Sequence, residues 1–184
     1  MKKNILVLDT ETTGLDPKKD ELLQISMIDG YGAVKLNTFC KPENVTEWPK
    51  AMEVNGITPE KVATELAPKN FKATVQRLID DADVLVHYNG KFDLKFLSEI
   101  GVVVPEDKKQ FDVMKAFAPI YGEKFKNGNY KNKKLVDAAT YFKYDFDAHD
   151  SLEDCRATLY CYQKITDPVR RIFRKPLRLL GIKI

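Results

Sequence analysis

Residues 4–15 read Asn4-Ile5-Leu6-Val7-Leu8-Asp9-Thr10-Glu11-Thr12-Thr13-Gly14-Leu15. The unbroken apolar run Ile5–Leu8 predicts a strand buried on both faces. Two acids follow at once. Residues i and i+2 of a strand point to the same face, which places Asp9 and Glu11 side by side, about 6–7 Å apart at the usual rise. Carboxylates that close repel unless something cationic lies between them. Hard divalent cations such as Mg²⁺ favour carboxylate oxygen. Two such ions about 3.5–4 Å apart can stabilise both the attacking and the leaving oxygen of a phosphate displacement. The plainer alternative is a structural salt bridge, since the chain has 30 Lys and Arg residues.

Working outward, Leu22–Asp29 and Ala33–Cys40 flank Gly30-Tyr31-Gly32 and predict a hairpin. The segment from Lys41 to Pro68 reads as irregular, with short helical turns. Phe71, Val75, Leu78 and Ile79 predict a helix over 71–81. Val84–His87 is a second buried strand. It leads through Asn89, a predicted N-cap, into a helix bearing Phe92, Phe96, Leu97 and Ile100, with Asp93 in its first turns. Gln110–Met114 predicts a short strand, followed by a helix to Tyr121. Residues 122–134 are polar and basic, interleaved with Phe125 and Tyr130, and read as a mobile loop. Leu135–Phe142 is helical. Asp150-Ser151-Leu152-Glu153 reads as a capping box opening a helix to Ile165. Its apolar stripe is Leu152, Cys155, Leu159 and Tyr162, and Asp154 lies off that stripe. Strand, hairpin and then alternating helix and strand predict an α/β fold, a mixed β-sheet flanked by helices on both faces.

With 184 residues, 43% hydrophobic and 31% charged, the composition is that of one soluble domain with room for a sizeable core. The net charge of +3 does not announce a nucleic-acid binder, so a phosphate-binding surface must come from local clustering. Cys40, Cys155 and Cys161 are odd in number and lack metal-ligand spacing, as expected of buried thiols in a reduced, cytoplasmic setting. The apolar run before Asp9 is too short for a signal sequence, and no run reaches transmembrane length. The division expected is a domain over 1–166 and a basic C-terminal helix or tail over 167–184. In the tail, Val169, Ile172 and Phe173 share one face with Arg170, Arg171, Arg174 and Lys175 around it.

Three segments together resemble the DEDDh branch of the DnaQ-like 3′–5′ exonucleases, a family that includes the proofreading subunit of bacterial replicative DNA polymerase. The first is Asp9-Thr10-Glu11-Thr12-Thr13-Gly14-Leu15. The second is Asn89-Gly90-Lys91-Phe92-Asp93, and the third is His149, four residues, then Asp154. Val54-Asn55-Gly56-Ile57-Thr58 is a weaker fourth match, with Asn55 where many relatives carry His. The resemblance implies a ribonuclease-H-like fold and two Mg²⁺ or Mn²⁺ ions. Asp9 would touch both, with Glu11, Asp93 and Asp154 completing the shells. It also implies catalysis by these acids with His149 as general base. A free imidazole titrates near ~6.5 and can accept a proton at neutral pH. The substrate contacts it implies are Thr10, through its backbone, with Leu15, Val54, Asn55, Gly56 and Asn89.

The function expected is hydrolysis of single-stranded DNA from its 3′ end, giving nucleoside 5′-monophosphates in proofreading or repair. RNA trimming is the alternative substrate. A nucleic-acid-binding module without turnover, or a scaffold on a DNA polymerase subunit, is the alternative class. The basic loop with Phe125 and Tyr130 reads either as a single-strand contact or as a solvated loop. His87, inside a buried strand, reads as a hydrogen-bonded core histidine. Asp112, Asp145 and Asp147 read as structural or solvated, Asp112 by orienting a helix start.

Overall fold

A computed structural model of the chain describes residues 3–167. The opening run becomes β1 (Ile5–Thr12), longer than the four apolar residues predict. It continues through both acids because its partner continues beside it. β2 (Leu22–Asp29) and β3 (Val34–Phe39) form the expected hairpin. The antiparallel register of β1 and β2 runs from Leu6↔Asp29 to Thr12↔Leu22, setting Asp9 opposite Ser26 and Glu11 opposite Gln24. β4 (Val84–His87) and β5 (Lys109–Asp112) join in parallel, giving the mixed sheet order β3-β2-β1-β4-β5.

Helices cover both faces. α3 (Lys72–Asp81) and α4 (Lys91–Glu99) lie on one. There Leu6, Leu8, Ile25 and Leu85 of the sheet meet Val75, Ile79, Phe96 and Leu97. On the other lie α5 (Val113–Tyr121), α6 (Leu135–Tyr141) and α7 (Ser151–Thr166). Val7, Ile28 and Val86 pack there against Phe117, Ala138, Cys155 and Leu159. Alternate residues of β1 therefore feed two separate cores, which is why its sequence is apolar without a break. Each fully buried side chain such as Phe96 or Leu97 stabilises the fold by about 1.5–3 kcal/mol.

The segment 41–68 contains two short helices, α1 (Pro49–Asn55) and α2 (Pro59–Val62). They are pinned to the start of β2 by a small cluster of Leu23, Trp48, Ile57 and Val62, and the Trp48 indole N–H donates to the Ile57 carbonyl at 2.6 Å. A 3₁₀ turn, Pro68–Phe71, precedes α3, so Phe71 lies before the α-helix and not within it. β5 stops at Asp112 because that side chain caps α5, accepting from the Lys115 N–H at 3.2 Å. Val113 and Met114 are consequently helical. The three cysteines are free and buried. Among the described residues no helix is long and apolar enough to cross a membrane. The reading of the tail from Pro168 onward lies outside the described residues.

Candidate active site

β1 pairs with β4 only over Ile5–Val7 and Val84–Val86. Beyond Val7 it outruns its parallel neighbour, and the strand edge on that side is open to the start of α4. Asp93 fills the opening. One carboxylate oxygen, Oδ1, accepts from the Thr10 N–H at 3.1 Å and from the Thr10 hydroxyl at 2.8 Å. The acid thus takes a strand-edge donor that a longer β4 would have used. Thr10 faces away from Asp9 and Glu11, as alternation requires. Its N–H is occupied by Asp93.

α4 is entered differently from the prediction. Asn89 is not its cap. Gly90 holds that position and no side chain bonds from it. Asn89 instead has φ +63°, and its carbonyl accepts from the Phe92 N–H. The Gly90 N–H donates to His87 Nδ1 at 3.0 Å. A Cβ at position 90 would lie 2.1 Å from the His87 ring, so the close approach requires glycine. His87 Nε2 then faces Gln110 Oε1 at 3.3 Å, and burial holds its pKa below the usual histidine value. His87 is the hydrogen-bonded core histidine expected.

α7 delivers Asp154. Asp150 caps it through the N–H groups of Leu152 and Glu153. The reciprocal half of a capping box is missing, because the Glu153 side chain pairs with Arg156. The helix start is docked onto β2 by two buried polar side chains. Ser26 and Ser151 share a hydroxyl–hydroxyl bond of 2.6 Å, and Gln24 Oε1 accepts from the Ser151 N–H at 3.3 Å. These are the cross-strand neighbours of Asp9 and Glu11. One pair of β2 residues therefore sets where α7 lies relative to the acids of β1. The signal for them was two polar residues at i and i+2 inside an apolar strand.

Glu11, His149 and Asp154 each bring a ligand atom within 4.8 Å of the others'. His149 is exposed, with φ +73°, and its backbone N–H beside the Asp154 carboxylate partly offsets the effect of burial there. Burial raises Asp9 well above the usual carboxylate range, with the charges of Asp93, Asp154 and Glu11 adding to it. Glu11 is pushed up to about 8, by burial first and then by Asp154, against a partly compensating bond from Asn55. Asp93 and Asp154 are each raised to about 7, chiefly by burial. Among the described residues no Lys or Arg forms an ion pair with any of these four acids. The salt-bridge alternative therefore has no support in this part of the chain. Crowded, desolvated oxygen donors without a cationic neighbour suit a hard divalent cation.

Beside the acids opens a cavity of about 500 Å³ lined by Thr10, Leu15, Val54, Asn55 and Phe92 among others. Leu15 and Val54 are largely exposed there. Asn55 Nδ2 lies 3.3 Å from Glu11 Oε2 and 3.4 Å from the Thr12 carbonyl, so the residue that departs from the motif still reaches a site acid. Gly56 lies outside the cavity wall. It ends α1 at φ +64°, with its N–H donating to the Met52 carbonyl. Asn89 lies outside the wall too, and Phe92 is a lining residue that the motif reading left to the helix core.

The RNase_T exonuclease family model matches residues 6–162. The chain belongs to this exonuclease family. Its match extends across both helical faces and all five acid and histidine positions. The chain is 30% identical over 165 residues to an uncharacterized exonuclease, CP81, of Escherichia phage 186, covering 84% of each chain. It is 28% identical to RNA exonuclease 4 of Saccharomyces cerevisiae, over 92% of this chain and 57% of that protein. A stretch of 95 residues, half of this chain, is 32% identical to 7% of the PolC-type DNA polymerase III of Thermotoga maritima. Among solved structures, E. coli exonuclease I in complex with a dA16 oligonucleotide superposes with a TM-score of 0.74 at 20% identity. It covers 95% of this chain and 43% of that one. The fold is thus the ribonuclease-H-like fold of these nucleases, and the family is the DnaQ-like one that the motifs imply. The chain spans little more than half of the yeast RNA exonuclease and less than half of exonuclease I.

Proposed function

We propose that this exonuclease-family chain removes nucleotides one at a time from the 3′ end of single-stranded DNA, using two Mg²⁺ or Mn²⁺ ions. The observation that carries the reading is the meeting of Glu11, His149 and Asp154 within 4.8 Å, with Asp9 and Asp93 in electrostatic contact with them. Bound to Asp9, Glu11, Asp93 and Asp154, the ions would neutralise charge gathering on the phosphate and its leaving oxygen. His149 is exposed beside these acids and accepts the proton of the attacking water. The P–O3′ bond breaks, the 3′ oxygen stays with the shortened strand, and a nucleoside 5′-monophosphate leaves. Leu15, Val54 and Phe92 offer apolar surface to the terminal base. Asn55 bonds Glu11 from the cavity wall, and Gly56 and Asn89 act through the turns they shape.

The complex of exonuclease I with dA16 favours DNA. The match of RNA exonuclease 4 over 92% of this chain favours RNA as the second reading, and the PolC match is the support for a polymerase partner. The test is product analysis on 5′-labelled single-stranded DNA and RNA of one sequence, with Mg²⁺, Mn²⁺ or chelator. A metal-dependent ladder shortening from the 3′ end, abolished in His149→Ala and Asp9→Ala, is expected. The DNA-to-RNA rate ratio chooses the substrate. Absence of cleavage with every metal would remove the enzyme reading and leave a binding module.

A further inference from the structure

The loop between α5 and α6 is not part of the acid site, yet it is built and not slack. Residues 122–134 hold five lysines and one glutamate, a local charge of +4 in a chain whose total is +3. The rest of the sequence is therefore net acidic, by one unit. The sequence predicts a mobile segment here, but the structure closes it into a small hairpin. Lys124 and Tyr130 form a bridge. The Phe125 N–H donates to the Asn129 carbonyl and the Lys131 N–H to the Glu123 carbonyl, both at 2.9 Å. Gly128 takes the turn at φ +86°.

Glu123 organises the stem from within. Its carboxylate pairs with Lys131 at 2.7 Å and also with Lys133. Repulsion between those two lysines is thereby offset at the base, while Lys124, Lys126 and Lys134 remain exposed. Phe125, 53% exposed, stands among them, with Lys131 Nζ 5.4 Å from its ring centre. The stem is tied to the residue that follows β4. The Tyr88 hydroxyl lies 2.8 and 2.9 Å from the carbonyl oxygens of Lys133 and Lys134. Tyr88 directly precedes the Asn89–Gly90 turn that leads into α4 and Asp93. A folded basic hairpin with an exposed ring, fastened to the turn that delivers a site acid, fits a polyanion with flat bases.

We infer that the 122–134 hairpin is a second contact for the substrate strand. Its exposed lysines hold phosphates, and Phe125 stacks a base, several nucleotides upstream of the 3′ end being hydrolysed. The inference rests on the exonuclease reading above and adds a chain-length preference that the acid site alone would not have.

The test uses the full chain carrying Asp9→Asn, so that the strand is not consumed, with 5′-fluorescein dT3 and dT12 read by anisotropy across a NaCl series. The expected result is tighter binding of dT12 than of dT3. Lys124→Ala with Lys126→Ala should weaken dT12 binding about tenfold and reduce the salt slope by about 1.4, at ~0.7 per lost single-strand phosphate contact. Phe125→Ala should weaken dT12 by roughly fivefold or more, the lower end for loss of one stacked base, and Phe125→Trp should restore it. In the otherwise wild-type enzyme, the ratio of kcat/KM on dT12 to that on dT3 should fall in the same variants. If dT12 affinity and its salt slope stay within twofold in every variant while the wild type still shortens strands, the hairpin contact is wrong and the exonuclease reading stands. If the wild type shortens no strand with any metal, the reading beneath it fails as well.

Discussion

Helices α4 and α7 each carry one acid into the site, and each is entered through a non-glycine residue at positive φ, Asn89 and His149. Their anchoring differs. Asp93 on α4 is held by a fixed feature of the sheet, the unpaired edge of β1, through two bonds from Thr10. Asp154 on α7 has the backbone N–H of an exposed histidine beside it and lies close to Glu11. The helix itself is well docked on β2, where Gln24 Nε2 reaches Asp150 and Gln24 and Ser26 bond Ser151. What remains unbalanced on that side is charge. The α4 acid has two protein donors on one oxygen, whereas the α7 acid has a single backbone N–H beside it.

The strongest test removes each acid in turn. Asp93→Ala and Asp154→Ala should both lower kcat by at least ~10³-fold, measured on a labelled single strand. Their stabilities should diverge. Asp93→Ala leaves the Thr10 donors buried and unsatisfied and should cost about 1–3 kcal/mol. Asp154→Ala relieves repulsion on Glu11 and Asp9 and should leave metal-free stability unchanged or raised. Equal losses in urea unfolding with chelator present would break the contrast between the halves.

A second test exploits pH. Carboxylates raised to about 7 or 8 in the folded state bind protons that the unfolded chain has released near ~4. Over that interval the folded state holds more protons, so metal-free stability falls as pH rises from about 4 to about 8. A divalent cation binds the ionised form and reverses the loss. Mg²⁺ should therefore raise Tm more at pH 8 than at pH 5 in thermal melts. A Mg²⁺ effect independent of pH would show that the site is not proton-loaded when empty.

The smallest effects sharpen the anchoring argument. Thr10→Val removes one hydroxyl bond to Asp93 but leaves the backbone one. Ser26→Ala leaves the buried Ser151 hydroxyl without its partner. Each should cost about 1 kcal/mol. Thr10→Val should also lower Mg²⁺ affinity several-fold in a calorimetric titration, while Ser26→Ala should act mainly on the urea midpoint. Identical profiles for the two would mean that both helices are held in the same way.

Much of this was legible beforehand for a local reason. Asp9 and Glu11 follow an apolar run, Val84–Val86 is a continuous apolar run, and Asp154 lies off the Leu152–Cys155–Leu159 stripe. Alternation and helical spacing reveal such things without knowledge of neighbours. Where the structure departs from the sequence pattern, the cause is non-local. The apolar run stops at Leu8, but β1 continues to Thr12 because it pairs with β2. Asn89 has the residue type of a cap, but the acceptor for the Gly90 N–H is the ring of His87. The polar 122–134 segment has no apolar period, but the Glu123 clasp joins residues eight and ten positions apart.

By itself, then, the sequence determined the chemistry available: four carboxylates and a histidine at motif spacing, two strands buried on both faces, and the exonuclease family they belong to. Those features are set by residue type and short-range period, which no partner can change. Only the tertiary structure decided how they meet. That β1 outruns β4 makes room for Asp93, that Gln24 and Ser26 oppose the two acids of β1 places α7, and that Tyr88 reaches the basic hairpin fastens it to the end of β4. Each depends on register and on where a helix lands on a sheet. Those are set by contacts between residues far apart in the chain, Thr10 with Asp93, Ser26 with Ser151 and Tyr88 with Lys133 among them, and no local pattern encodes them.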